Sequence, residues 1–109
     1  MAALEKEAQA GNKAAMDIVK VIATRSPTSV AVTFRQIADG RPLDLDDCMR
    51  MEYRIANRML EAHDFYEGVR ALLIDKDGAP AWKPATLDEV KPEQVNAYFA
   101  NLGDKELTF

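Results

Sequence analysis

The sequence predicts an all-α fold, a bundle-like arrangement of four to five helices, and three observations carry that prediction. Apolar residues recur at spacings of three and four over most of the chain, the period of a helix surface. Helix-start signals stand at Ser26-Pro27, at Asp44 and at Pro92, where a capping side chain or a proline fits the first turn. No segment needs a strand to explain its pattern. With 109 residues and 48% hydrophobic content, one domain spanning 1–109 with a modest core is expected.

The first element runs from Ala2 to Thr24, where Leu4, Ala8, Gly11, Ala15, Ile18, Val19 and Ile22 form one stripe between charged residues. It reads as one amphipathic helix of about six turns at 3.6 residues per turn. Ser26-Pro27 ends it, because proline disfavours helical geometry in the residue before it, and the same pair opens the next helix. There Val30, Phe34 and Ile37 make the apolar stripe, and Gly40 is the expected left-handed stop. Asp44 caps a third helix, with Leu43 placed to staple onto Cys48, and Asp46 and Asp47 complement the dipole of the first turn. Its apolar positions are Leu45, Cys48, Met49, Ile55, Ala56, Met59 and Leu60. Asp64 and Glu67 have capping-box spacing, which predicts a fourth helix from Phe65 to Leu73 or Ile74. Asp77-Gly78-Ala79-Pro80 reads as a turn and Ala81 to Lys91 as extended loop. A short last helix follows Pro92 and carries Val95, Tyr98, Phe99 and Leu102.

Charge and cysteine content narrow the function classes. A net charge of −4 and a pI near 4.9 argue against nucleic acid as a partner, which needs a concentrated basic face. No apolar run is long enough to span a bilayer, and MAALEKEAQ carries acidic residues where a signal or transit peptide avoids them. The expectation is a soluble, unprocessed chain with no membrane contact. The lone Cys48 cannot make an intramolecular disulfide, which suits a bacterial cytoplasm or a mitochondrial matrix equally.

The sequence offers no candidate catalytic residue and no metal site. One His and one Cys cannot build a two-histidine motif, a paired-cysteine site or a supported Cys-His dyad. His63, beside a helix start, reads as a surface or packing residue. Without a glycine-rich phosphate loop or a nucleophile elbow, no cofactor is expected. Glu52 is spaced to fall on the apolar face of the third helix, where a carboxylate must be paired or hydrogen-bonded. It is either a general acid or base, or a structural partner of Arg35 or Arg54, and the structural role is preferred. Gly68 inside a helix costs about 1 kcal/mol against alanine, so something should approach its backbone closely. Trp82, in a loop, should anchor that loop on an apolar surface.

The run HDFYEGVRALLIDKDGAPAWKPA from His63 to Ala85 resembles the C-terminal segment of 3-hydroxyisobutyryl-CoA hydrolases, members of the enoyl-CoA hydratase/isomerase, or crotonase, superfamily. SPTSVAVTFRQI from Ser26, MEYRIANRM from Met51 and the terminal YFANLGDKELTF extend the resemblance over nearly the whole chain. It implies a C-terminal helical domain without the crotonase β/α core, whose oxyanion hole and catalytic carboxylates lie elsewhere. The resemblance further implies that such helices pack on that core, roof its pocket, and line the acyl-CoA groove with EGVRAL from Glu67 to Leu72. Leu72 stands where the superfamily has an aromatic, and Asp75 where a lysine is common. Arg70 and Lys76 either flank the CoA phosphate path or are solvated helix charges.

Two function classes follow. The first is the C-terminal part of an acyl-CoA thioester hydrolase, silent alone and meeting its acyl-CoA substrate through a crotonase core. A hydratase or isomerase relative is its close variant. The second is a stand-alone helical interaction domain, able to form a homo-oligomer through exposed apolar stripes and the adaptable side chains of Met16, Met49, Met51 and Met59.

Overall fold

The structure, a computed structural model, describes residues 2–109. Its helices are α1 (Ala2–Gln9), α2 (Lys13–Ala23), α3 (Pro27–Gly40), α4 (Leu45–Met59), α5 (His63–Val69) and α6 (Pro92–Phe99). A wider π-helical turn, Arg70–Ile74, continues α5, and 3-10 turns lie at Leu87–Glu89 and Gly103–Lys105. Among the described residues there is no strand. The all-α expectation holds, with six α-helices among the described residues against the four or five the sequence predicts.

The extra helix comes from Gly11. Its φ of +93° leaves the helical region at no steric cost to glycine, and the Asn12 side chain accepts from the Ala15 N–H at 3.1 Å to cap a new start. The residue that continued the apolar stripe on paper therefore splits it. α1 packs chiefly on α2.

α3, α4 and α6 enclose the core. Val32, Met51 and Ile55 are buried, with Met59, Val95, Tyr98 and Phe99 packed against them. Each buried aliphatic side chain contributes about 1.5–3 kcal/mol. Ser26 caps α3 by accepting from Ser29 N–H at 3.3 Å, and Asp44 caps α4 by accepting from Asp47 N–H at 2.9 Å, as their residue types predict. The core uses other faces than the sequence pattern suggested. Val32 and Thr28 face inward from α3, whereas Phe34 and Ile37 are 49% and 65% exposed. On α4, Met51 joins the core while Leu45, Met49 and Leu60 are exposed. Met51 and Met59 are therefore core residues, and of the four methionines only Met16 and Met49 lie on the surface. Leu43 is also exposed, leaving no buried staple.

Gly40 does not take a left-handed conformation. It matters by its size, since an added Cβ would stand 3.2 Å from Met51 Cε. Asp64 and Glu67 do not form a capping box, because α5 begins at His63 and both carboxylates reach outside the helix. The last helix does begin at Pro92, with Gln94 Oε1 accepting from Lys91 N–H at 2.9 Å.

The C-terminal tail is tied to α4 by three arginines spaced four residues apart. Arg58 donates to Ala100 O at 3.1 Å, Arg54 donates to Glu106 Oε1 at 2.7 Å, and Arg50 lies 5.0 Å from the Phe109 ring centroid. Arg35 on α3 sits 4.8 Å from the Phe99 ring and also donates to Asn96. The molecule measures 48 × 37 × 22 Å with a radius of gyration of 15.8 Å, against about 13 Å for a compact chain of this length. It is a slab, roughly two helices thick.

Candidate functional site

A large concave feature lies where α5, its π turn and the loop after it meet the α2–α3 junction. Here an open, mainly apolar groove of about 690 Å³ is walled by Met59, Phe65, Val69, Leu72, Pro80 and Trp82. That volume is within the range of small-molecule sites.

Two residues singled out by sequence meet in its wall. The Trp82 ring lies over Gly68, where an added Cβ would come 3.4 Å from Trp82 Cη2. Its indole N–H donates to Thr24 O, the C-cap of α2, at 3.1 Å. Trp82 thus pins the loop across α5 onto the end of α2.

Carboxylates of α5 hold the residues on either side of it. Glu67 Oε2 accepts from Ala81 N–H at 2.6 Å, and Asp64 Oδ1 accepts from Lys83 N–H at 2.9 Å. Asp64 is 8% exposed, and its Oδ2 accepts from Ser26 Oγ at 2.5 Å. Its Oδ1 also lies 2.8 Å from Nδ1 of His63, whose side chain is largely exposed. Sequence reasoning missed this role of Asp64. The local signal, an acidic residue three before another at a helix start, points only to a cap.

Arg70 is enclosed by carboxylates. It donates to both oxygens of Glu67 at 2.7 Å and through Nη1 to Asp75 at 2.9 Å and Asp77 at 2.8 Å. The Arg70 hydrogen bonds, with the Ala81 N–H second, hold the Glu67 carboxyl down at about 2. Arg70 and then Ala79 N–H lower the Asp77 carboxyl, and the same carboxylates raise the guanidinium. Lys76, between the two aspartates, has a left-handed φ of 56° and an exposed side chain. That backbone turn brings both neighbours back onto Arg70. Farther off, Leu102 N–H and then Arg54 lower the Glu106 carboxyl, while burial and secondarily the Asp64 charge push the Tyr98 phenol up.

Glu52 is not on a buried face. It is exposed, and among the described residues its expected partners bond elsewhere, Arg35 to Asp39 and Arg54 to Glu106. The core-facing positions of α4 are Met51, Ile55 and Met59, one residue off the stripe that would have buried it. Among the described residues no group of three or more His, Cys, Asp or Glu is placed to hold a metal ion, and no helix is long and apolar enough to cross a membrane.

Fold and groove together define a helical layer with an open, apolar-walled groove on its surface. The chain belongs to the enoyl-CoA hydratase/isomerase family, whose model matches residues 1–99. It is 48% identical over 106 residues to the mitochondrial 3-hydroxyisobutyryl-CoA hydrolase of Rattus norvegicus and 45% identical to that of Homo sapiens. Each match covers 97% of this chain but 28% of the relative. Among solved structures, one described as a carnitinyl-CoA dehydratase from Mycobacterium thermoresistibile superposes with a TM-score of 0.86 at 42% identity, over 99% of this chain and 30% of that one. The resemblance carried by the His63–Ala85 run is borne out.

Proposed function

We propose that this chain is the C-terminal helical domain of an acyl-CoA thioester hydrolase converting 3-hydroxyisobutyryl-CoA to 3-hydroxyisobutyrate and CoA. The carrying observation is end-to-end similarity to little more than a quarter of a hydrolase named for that substrate. In this reading the groove beneath Trp82 forms part of the pocket roof and keeps bulk water from the thioester. The oxyanion donors, a large term in acyl transfer, stand on the part of the relatives outside the matched segment. The protein works in an aqueous compartment, either the matrix of a mitochondrion, in keeping with the word mitochondrial in its relatives' names, or a bacterial cytoplasm.

Arg70 and Lys76 flank the path of the CoA phosphates. Of the two, Lys76 has charge to spare, because Arg70 already meets three carboxylates. In the full hydrolase, Lys76→Glu is expected to raise KM for acyl-CoA with little change in kcat, and an unchanged KM removes the contact.

A stand-alone interaction domain is the second reading, favoured by the exposure of Phe34, Ile37, Leu72 and Ile74. Capture of the endogenous polypeptide through this segment, followed by intact mass measurement and acyl-CoA assay, separates the readings. A species several times heavier than 12.1 kDa that hydrolyses the thioester is the expected result. Hydration of an enoyl-CoA by that species reassigns the chemistry within the family. A self-associating 12.1 kDa species without acyl-CoA binding leaves the interaction domain.

A further inference from the structure

Trp82 forms part of the groove wall, yet the loop carrying it has little regular structure of its own. Its position depends on polar ties to α2 and α5. The ties to Thr24 O and Glu67 lie near the surface, whereas the tie at Lys83 N–H ends on Asp64, the one buried carboxylate of the molecule's described residues. Asp64 in turn is fixed by the Ser26 hydroxyl, which also caps α3.

We propose that Asp64 is a positioning residue: bridging Ser26 Oγ on the α3 side and Lys83 N–H on the loop side, it sets where Trp82 stands and so the width of the apolar groove. The geometry supports a chain of two hydrogen bonds from the start of α3 to the loop, with Trp82 adjoining the bonded residue. Gly68 completes the seat, since the indole lies over it so closely that an added Cβ would already touch Trp82 Cη2 at 3.4 Å. Without the Asp64 acceptor, the part-buried Lys83 N–H loses its partner, and an unsatisfied donor at the edge of the interior is costly. The loop then lifts, taking Trp82 off Gly68 and opening the groove. The consequence for acyl-CoA rests on the reading of this groove as a pocket wall. The positioning of Trp82 does not.

Trp82 is the chain's one tryptophan, so its fluorescence and its single indole N–H resonance report this position directly. The test compares the 109-residue chain with Asp64→Ala, Asp64→Asn and Ile55→Val, each at a temperature where far-ultraviolet circular dichroism shows intact helices. Asp64→Ala is expected to shift Trp82 emission to longer wavelength, increase acrylamide quenching severalfold and speed indole N–H exchange by about tenfold or more, as expected for loss of about 1.4 kcal/mol of local protection. Asp64→Asn keeps one carbonyl acceptor and should fall between. Ile55→Val lowers global stability through the core but leaves Trp82 unmoved, which separates positioning from general loosening. Wild-type Trp82 signals in both Asp64 variants overturn the proposal, as does an equal shift in Ile55→Val. If Asp64→Ala does not fold, Asp64→Asn against Ile55→Val decides alone. A parallel titration with 3-hydroxyisobutyryl-CoA in the full hydrolase isolates the other premise. Unchanged acyl-CoA affinity in variants that do move Trp82 refutes the pocket-wall reading and leaves the positioning role standing.

Discussion

The two faces of α3 are both apolar, yet one is finished and the other is open. Inward, Val32 meets Met51 and Ile55 and is 1% exposed. Outward, Phe34 and Ile37 stand in solvent beside Ile22 and Val30, forming an open apolar depression. The finished side is also braced by polar ties, with Arg50, Arg54 and Arg58 gripping the tail. The difference shows that this chain carries more apolar stripe than it covers by itself. Exposed patches of that kind mark interaction surfaces, and under the function proposed above the remainder of the hydrolase is the cover.

Core truncation should break the asymmetry most visibly. Ile55→Ala is expected to cost about 2–5 kcal/mol in chemical unfolding followed by circular dichroism, against about 0.5 kcal/mol or less for Ile37→Ala on the open face. Comparable losses in the isolated chain would show that the open face is covered after all, by self-association for instance. In the proposed full-length hydrolase, the Ile37→Ala cost should rise toward the core value. Next in size, Arg54→Met should free the tail while leaving the helices folded, seen as severalfold faster proteolysis between Ala100 and Phe109.

Acid should loosen the groove wall before it melts the core. Glu67 is depressed from an ordinary 4.5 to about 2. Its contribution is therefore fully present above the unfolded value and lost as pH falls from about 4.5 through about 2. Carboxyl NMR titration should place the Glu67 midpoint near 2 and return it toward 4.5 in Arg70→Met. A midpoint near 4.5 in the wild type would dissolve the Arg70 clasp. The smallest effect is expected at Gly68. A Cβ there makes ordinary contact with the indole at 3.4 Å, and alanine gains about 1 kcal/mol in helix propensity. Gly68→Ala should thus be neutral or mildly stabilising, while Gly68→Leu should displace Trp82 and redden its emission.

Element existence was largely legible because caps and turn residues act locally. Ser26, Asp44, Pro92 and the Asp77-Gly78 turn each do what their side chains or backbone freedom dictate. Face assignment was not, because periodicity reports which side of a helix is apolar and not which side another element covers. Hence Glu52 was placed one residue onto the wrong stripe, and Phe34 was expected inside. Gly11 misled because glycine is neutral to a hydrophobic pattern but decisive for the backbone. Gly68 and Trp82 were each recognisable as demanding a neighbour, though nothing local says that they demand one another. Asp64 was hidden because its partners lie 38 and 19 positions away in sequence.

A slab 22 Å thick has thermal consequences. So little apolar surface leaves water on folding that the heat-capacity change should fall below the usual 12–15 cal/mol/K per residue, giving a broad, shallow stability curve. The missing part should reappear as a negative heat-capacity change when the open face is covered. Calorimetry of this chain thereby measures how much apolar surface its own fold leaves uncovered.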